Sequence, residues 1–285
     1  MPGACAGEQT DPQFGLTVQT LLVADLAIVL CREPLLVHVQ PMRGLSPPMS
    51  TLPLAAPPNR LLAALPPRLS ARLIAACDGV DLKLGTVLNE ANARLAHVYF
   101  PTEGFISLMI PVDGASNLEV GLVGNEGMVG TPLILGMERS PLRALVQGAG
   151  PAWRMSARTF TRELGLSAAL RTLLHKYVQV RISQLAQTAA CTRFHLVEAR
   201  LARWLLMTQD RAHDDEFHVT HEFLAFMLGV RRVGVTRAAT ALQKRKLISY
   251  HRGDMTILDR PGMEAASCSC YRADQESYEG LLAGV

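Results

Sequence analysis

The 285-residue sequence has no Cys-x-x-Cys spacing among its six cysteines, Cys5, Cys31, Cys77, Cys191, Cys268 and Cys270. That scatter argues against a zinc site and against the disulfide framework of a secreted domain, and it points to a reducing cytoplasm. Apolar runs are short as well. The longest, Thr20 to Cys31, is interrupted by Asp25 and falls below the roughly 20 residues of a membrane helix. It also lacks the basic flank and small-residue cleavage site of a signal peptide. Gly-x-Ser-x-Gly, phosphate-loop and His-Glu-x-x-His motifs are all missing, which removes the usual sequence grounds for an enzyme. One further absence is local. Between Gly229 and Arg252 there is no Asp or Glu, while seven Arg or Lys residues fall there in a chain of net charge +3.

That basic stretch has internal order. Thr220 is placed to cap a short helix whose Phe223, Leu224, Met227 and Leu228 recur at three- and four-residue spacing, and Gly229 is placed to end it. A second helix is predicted from about Arg231, with Val235, Ala238, Ala239 and Leu242 facing inward and Arg231, Arg232, Thr236 and Arg237 left outside. After Lys244-Arg245-Lys246, residues 247–258 alternate as two short strands reversed at Arg252-Gly253-Asp254. Two helices joined by a tight turn and followed by such a hairpin make a winged helix-turn-helix, whose second helix enters the major groove of DNA. A solvated basic helix is the plainer reading, but the cap, the glycine, the apolar stripe and the wing fall in register with the charge. Such a cluster neutralises phosphates, and an arginine fork can pair with guanine.

In these residues the chain resembles the Crp/Fnr transcription regulators. The family's recognition helix carries Arg-Glu-x-x-x-Arg, and Arg232-Val233-Gly234-Val235-Thr236-Arg237 keeps both arginines with Val233 in the acidic place. The resemblance implies base contacts from Arg232 and Arg237, phosphate contacts from Arg231 and the wing residue Arg252, and Thr220, Val233 and Thr236 within the DNA-binding set. The family's carboxylate is associated with cytosine, so Val233 implies an unusual half-site with contact to a thymine methyl. The resemblance also implies a cyclic-nucleotide-binding-like barrel, a homodimer, and double-stranded DNA and RNA polymerase as partners. Oxygen sensors of the family hold iron-sulfur clusters on closely spaced N-terminal cysteines. With Cys5 and Cys31 alone in that region, no such cluster and no other cofactor is expected.

Upstream, residues 60–65 and 67–76 read as two short helices. Residues 80–84, 96–100, 105–110, 118–123, 143–147 and 152–155 are short strand-like runs, and Asp113-Gly114 is a hairpin signal between two of them. Short strands at this spacing favour a sandwich or jelly-roll barrel, as the resemblance also implies. The family's phosphate-binding cassette reads Gly-Glu-Leu-Gly or Gly-Glu-Leu-Ala, followed by Arg-Ser or Arg-Thr. Here Gly127-Met128-Val129-Gly130 precedes Arg139-Ser140-Pro141. Arg139 and Ser140 keep the candidate ligand-binding positions, but methionine cannot accept the ribose hydrogen bond that the glutamate does. An effector other than cyclic AMP, or none, is expected.

Residues 167–192 contain neither proline nor glycine, and Leu170, Leu173, Leu174, Tyr177, Val178, Ile182, Leu185 and Ala189 trace a near-helical stripe with Arg181 and Gln184 beside it. One long helix is predicted, which the resemblance casts as the coiled coil of a dimer; packing against its own barrel is the alternative. A further helix over 196–208 carries Val197, Leu201, Trp204 and Leu205. His218 and His221 lie near His213, Asp214, Asp215 and Glu216, but a strand entering a capped helix beside a solvated loop accounts for them without a metal. Cys268-Ser-Cys270 reads as two thiols near a frayed end, because a one-residue spacing is weak ground for a redox or metal pair. The first 48 residues mix apolar stretches with proline-rich text; Met49 as the translation start and a loosely packed leader both remain open.

The expected chain is therefore α+β. Residues 1–55 form an extension, 56–166 an N-terminal β jelly-roll barrel, 167–192 a dimerisation helix, 193–262 a winged helix-turn-helix and 263–285 a tail. The expected function is a cytoplasmic, homodimeric DNA-binding transcription regulator reading a near-palindromic promoter site, neither an enzyme nor membrane-bound. A cyclic-nucleotide-responsive regulatory module and a partner-binding winged helix without DNA affinity are the alternatives.

Overall fold

The computed structural model describes residues 59–112 and 116–283. The leader, Met49 and the Asp113-Gly114 pair lie outside the described residues. Asn59 ties down the first of the described residues. Its side-chain oxygen accepts from the Leu62 N–H at 3.1 Å and caps α1 (Arg60–Ala63), while its amide donates to the Pro101 and Gly127 carbonyls, both at 2.9 Å. Helix α2 (Pro67–Ala75) follows with proline at its first position, where no N–H is needed.

Seven strands come next: β1 (Asp78–Leu82), β2 (Val87–Asn89), β3 (His97–Pro101), β4 (Phe105–Val112), β5 (Ser116–Val123), β6 (Arg143–Gly148) and β7 (Gly150–Ser156). They form two sheets, ordered β1-β7-β3 and β2-β6-β4-β5, with every pairing antiparallel. Leu82, Ile106, Leu108, Val123, Ala144 and Val146 are buried together as a core of this barrel. Strands β4 and β5, which flank the expected Asp113-Gly114 turn, pair out to Val112 and Ser116. Strand β2 was not predicted, being too short for alternation to show. Helix α3 (Ala157–Leu166) was not predicted either. It begins directly from β7, with the Ser156 hydroxyl oxygen accepting from the Thr159 N–H at 3.1 Å.

The long helix α4 (Ala168–Phe194) is present, but its apolar stripe divides. Leu170, Leu173, Leu174 and Tyr177 are buried with Leu61, Leu62, Phe100 and Phe160 of the same chain. Arg181 and Gln184 are buried too, Arg181 donating to the Leu122 carbonyl at 3.0 Å and to the Gln184 side-chain oxygen at 2.7 Å. Packing against its own barrel thus describes the first half of α4. Farther along, Ile182 and Leu185 are 53% and 40% exposed.

Helix α5 (Val197–Ala212) leads into β8 (Glu216–His218), α6 (His221–Leu228), α7 (Arg232–Lys244), β9 (Ile248–His251) and β10 (Asp254–Ile257), with a sheet ordered β8-β10-β9. Phe223, Leu224, Met227, Leu228, Val235, Ala238, Ala239 and Leu242 are all buried in one core, as their spacing predicts, with Leu201, Trp204 and Leu205 of α5. Met109 and Leu145 of the barrel join that core. The expectation of a frayed C-terminus is corrected. Helices α8 (Arg260–Ala266) and α9 (Cys270–Ala283) fold back, α9 packs on α4 and α5, and Tyr278 and Leu281 enter the core shared by α4 and the barrel. That apolar burial holds residues 263–283 in place.

Candidate nucleic-acid interface

The helix-turn-helix is assembled by local signals. The Thr220 hydroxyl oxygen accepts from the Phe223 N–H at 3.1 Å and caps α6, and Gly229 ends it at φ 61°, a left-handed conformation that glycine adopts without a Cβ penalty. Arg231 is the N-cap of α7 and makes no side-chain capping bond; the Gly234 N–H of that first turn donates to the Arg231 carbonyl at 2.8 Å. Arg231, Arg232, Thr236 and Arg237 are exposed, and Val233 is 55% exposed among them. These five residues occupy the leading turns of α7 opposite its buried stripe.

The wing is a two-residue hairpin. His251 pairs with Asp254, and Arg252 and Gly253 between them have φ 51° and 99°. Two successive positive φ values match the twist of the flanking strands and put Arg252 at the tip, exposed. Arg231, Arg232, Arg237 and Arg252 form no ion pair with any described residue, whereas Arg245 of the same basic run pairs with Glu198 at 3.0 Å. Unpaired guanidinium groups on one helix and one hairpin tip present positive charge to an anionic polymer. Thr220 is half-buried and spent on its cap, which makes it a positioning group for α6.

Two residues that sequence reasoning did not assign to this interface organise it. His221 Nδ1 lies 3.1 Å from the Thr236 hydroxyl, which donates to the Arg232 carbonyl at 3.1 Å. The His221 ring stacks on Tyr250 of the wing, with centroids 4.2 Å apart and planes 13° from parallel. One imidazole therefore links α6, α7 and β9. Burial, helped by the charge on Arg232, lowers its pKa and so favours the neutral ring. The separation of His221 from Tyr250 by 29 positions (250 − 221) hid the link in the sequence, where only the Tyr250 strand position was legible. His218 takes a different partner, Asp254 Oδ1 at 2.8 Å, so the two histidines do not act together.

The barrel's cassette positions each take a partner within the chain. Met128 is fully buried, and its N–H donates to the Tyr177 hydroxyl at 3.0 Å. Arg139 is exposed and donates to the Asn92 carbonyl at 2.7 Å, while Ser140 is buried and bonds to Leu142 within its own turn. Among the described residues, Cys191, His195, Cys268 and Cys270 are the group whose ligand atoms lie close enough to hold a metal ion.

Residues 199–266 match the family model of the Crp-like helix-turn-helix domain. No curated protein matches the chain. Among solved structures, a transcriptional regulator assigned to the crp/fnr family from Eubacterium rectale is 19% identical with a TM-score of 0.59, covering 72% of this chain and 96% of that one. The c-di-GMP-responsive global regulator CLP of Xanthomonas campestris is 17% identical at a TM-score of 0.56, covering 67% and 99%. FixK2 of Bradyrhizobium japonicum is 11% identical at the same TM-score, covering 67% and 98%. The fold is that of the Crp/Fnr regulators, and no described helix is long and apolar enough to cross a membrane.

Proposed function

We propose that this chain, with a Crp-like helix-turn-helix domain at residues 199–266 on a Crp/Fnr fold, is a transcription regulator that binds a near-palindromic DNA site as a homodimer. The carrying observation is the set of unpaired arginines, Arg231, Arg232 and Arg237 on α7 and Arg252 at the wing tip, in one exposed run with Val233 and Thr236. Arg232 and Arg237 read base edges, Val233 meets a thymine methyl, and Arg231 and Arg252 hold phosphates. The exposed Ile182, Leu185 and Ala189 on α4, preceded by the half-buried Val178, support the dimer, since a 4-3-4 spacing forms a coiled-coil seam. A twofold pair would then place two α7 helices in major grooves about 34 Å apart.

A regulator of this kind works by binding in the cytoplasm, with RNA polymerase as the downstream partner, and catalyses nothing. We infer an effector other than cyclic AMP, or none. Met128 sits in the core where a ribose-accepting carboxylate would be needed, and Arg139 is turned to Asn92. Genome-wide footprinting followed by gel shifts on the recovered fragments tests the reading. Arg232→Ala and Arg237→Ala each relax base preference at one position by about 1–3 kcal/mol. Undiminished, equally selective binding by both variants would instead favour a partner-binding winged helix.

A further inference from the structure

Helix α4 ends with Cys191 in its last turn and His195 as its C-cap. The chain returns to this point much later, with Cys268 after α8 and Cys270 opening α9. Cys191 Sγ and Cys268 Sγ are 3.5 Å apart, Cys270 Sγ and His195 Nδ1 are 3.4 Å apart, and the four atoms all lie within 4.8 Å of one another. The three cysteines are buried together and His195 is half-buried.

These separations discriminate among chemistries. A tetrahedral zinc ion, with bonds of about 2.3 Å to sulfur and about 2.0 Å to nitrogen, holds its ligand atoms about 3.5–3.8 Å apart. A disulfide would join two sulfurs at about 2.0 Å and leave Cys270 and His195 without a task. An iron-sulfur cluster spreads its thiolates over several iron atoms and needs them farther apart than one shared ion does. Three thiolates and a neutral imidazole around a dication carry one net negative charge. The outer surroundings suit that charge. Gln187 Nε2 donates to Cys270 Sγ at 2.8 Å, and Arg203, held by Asp274, and Arg200 lie alongside the thiols.

The geometry points to Cys191, His195, Cys268 and Cys270 as a closed tetrahedral zinc site that pins the C-terminal helix α9 to the elbow between α4 and α5. Four protein ligands leave no open position, so the role is structural. The elbow joins the long helix to the DNA-binding half, and an ion there would fasten the two through a segment remote in sequence. This site stands independently of any DNA-binding role.

The test uses the full-length reduced chain purified without chelator. Elemental analysis is expected to find about one zinc per chain. Chelated protein reloaded with cobalt(II) alone is expected to show the ligand-field bands of a tetrahedral ion and thiolate-to-cobalt charge transfer. Cys191→Ser and Cys270→Ser lose most of the metal. His195→Cys keeps it with stronger charge transfer, and Cys77→Ser, whose thiol only donates to the Leu73 carbonyl at 3.3 Å, leaves it unchanged. Folded wild-type protein that carries no more zinc than Cys270→Ser and gives no cobalt bands would overturn the site. Stoichiometric iron and sulfide, or a Cys191–Cys268 disulfide formed without any metal, would do so equally.

Discussion

Glu126 and Arg211 form a buried ion pair across the junction of the barrel and α5. One carboxylate oxygen of Glu126 accepts from Arg211 Nε at 2.9 Å and from Nη2 at 2.8 Å, and both side chains are under a tenth exposed. Burying two charges costs solvation that their attraction only roughly returns, but removing one partner strands the other. Glu126→Ala is expected to lower stability by about 3–5 kcal/mol. Glu126→Leu combined with Arg211→Met should lose less than Glu126→Ala alone. Urea unfolding followed by circular dichroism measures both, and simple additivity would mean the two groups do not depend on each other.

A second junction residue titrates near neutrality. Glu119 of β5 lies buried between the Ser107 hydroxyl, which donates to it, and Trp204 Nε1 of α5, which donates at 2.8 Å. Burial raises its pKa from 4.5 to about 7, against the lowering effect of those two bonds and of Arg211 and Arg203. A carboxyl whose folded pKa is raised binds its proton more tightly in the native state than in the unfolded chain. Its stabilising contribution is therefore complete below about pH 4.5 and lost as pH rises through about 7, to the extent of about 3 kcal/mol. Glu119→Gln keeps an acceptor for Trp204 and offers the Ser107 oxygen an amide donor in place of the acceptor it had, without the titration. Unfolding free energies of wild type and Glu119→Gln between pH 5 and 8 should diverge, with wild type falling and the variant flat by comparison.

Two glycines of the helix-turn-helix should respond oppositely to alanine. Gly234 sits in the first turn of α7, where an added Cβ would meet nothing nearer than Val197 Cγ2 at 4.0 Å. Gly229 has φ 61°, and its Cβ would fall 2.8 Å from Leu118 Cδ1 of β5. Gly234→Ala should stabilise by about 1 kcal/mol through helix propensity. Gly229→Ala should destabilise by about 1–2 kcal/mol from the left-handed backbone alone, before the contact with Leu118 is counted. Melting temperatures of the two variants against wild type check the pair of signs.

The sequence was legible where the deciding interactions are local. Thr220 reaches only to Phe223, Gly229 closes its own helix, and Arg252-Gly253 turns its own hairpin. Helix α3 escaped because Gly165 reads as a breaker, although its Cβ direction is open and the helix runs through it. The stripe of α4 was found as one band and proved to be two, since nothing in a periodicity says which chain covers it. Least legible was the meeting of Cys191 and His195 with Cys268 and Cys270. Cys191-x-x-x-His195 places two ligand types one helical turn apart, and Cys268-Ser-Cys270 supplies two more. Only the return of α9 along α4 joins the halves.

Val233 offers the sharpest check of the recognition surface. It is exposed at 55% between Arg232 and the outward Thr236 and Arg237, where a hydrocarbon side chain has no packing role to explain it. A branched methyl pair favours a thymine methyl and offers nothing to the exocyclic amine of cytosine, whereas a carboxylate accepts from that amine. Val233→Glu is therefore expected to move preference at one position of each half-site toward cytosine by about 1–3 kcal/mol, leaving neighbouring positions unchanged. Arg252→Ala should weaken binding to all sequences alike and reduce the salt slope by about 1. Selection from a randomised oligonucleotide pool at two salt concentrations reads both effects at once. A change at several positions for Val233→Glu, or a sequence-dependent loss for Arg252→Ala, would exchange the roles assigned to helix and wing.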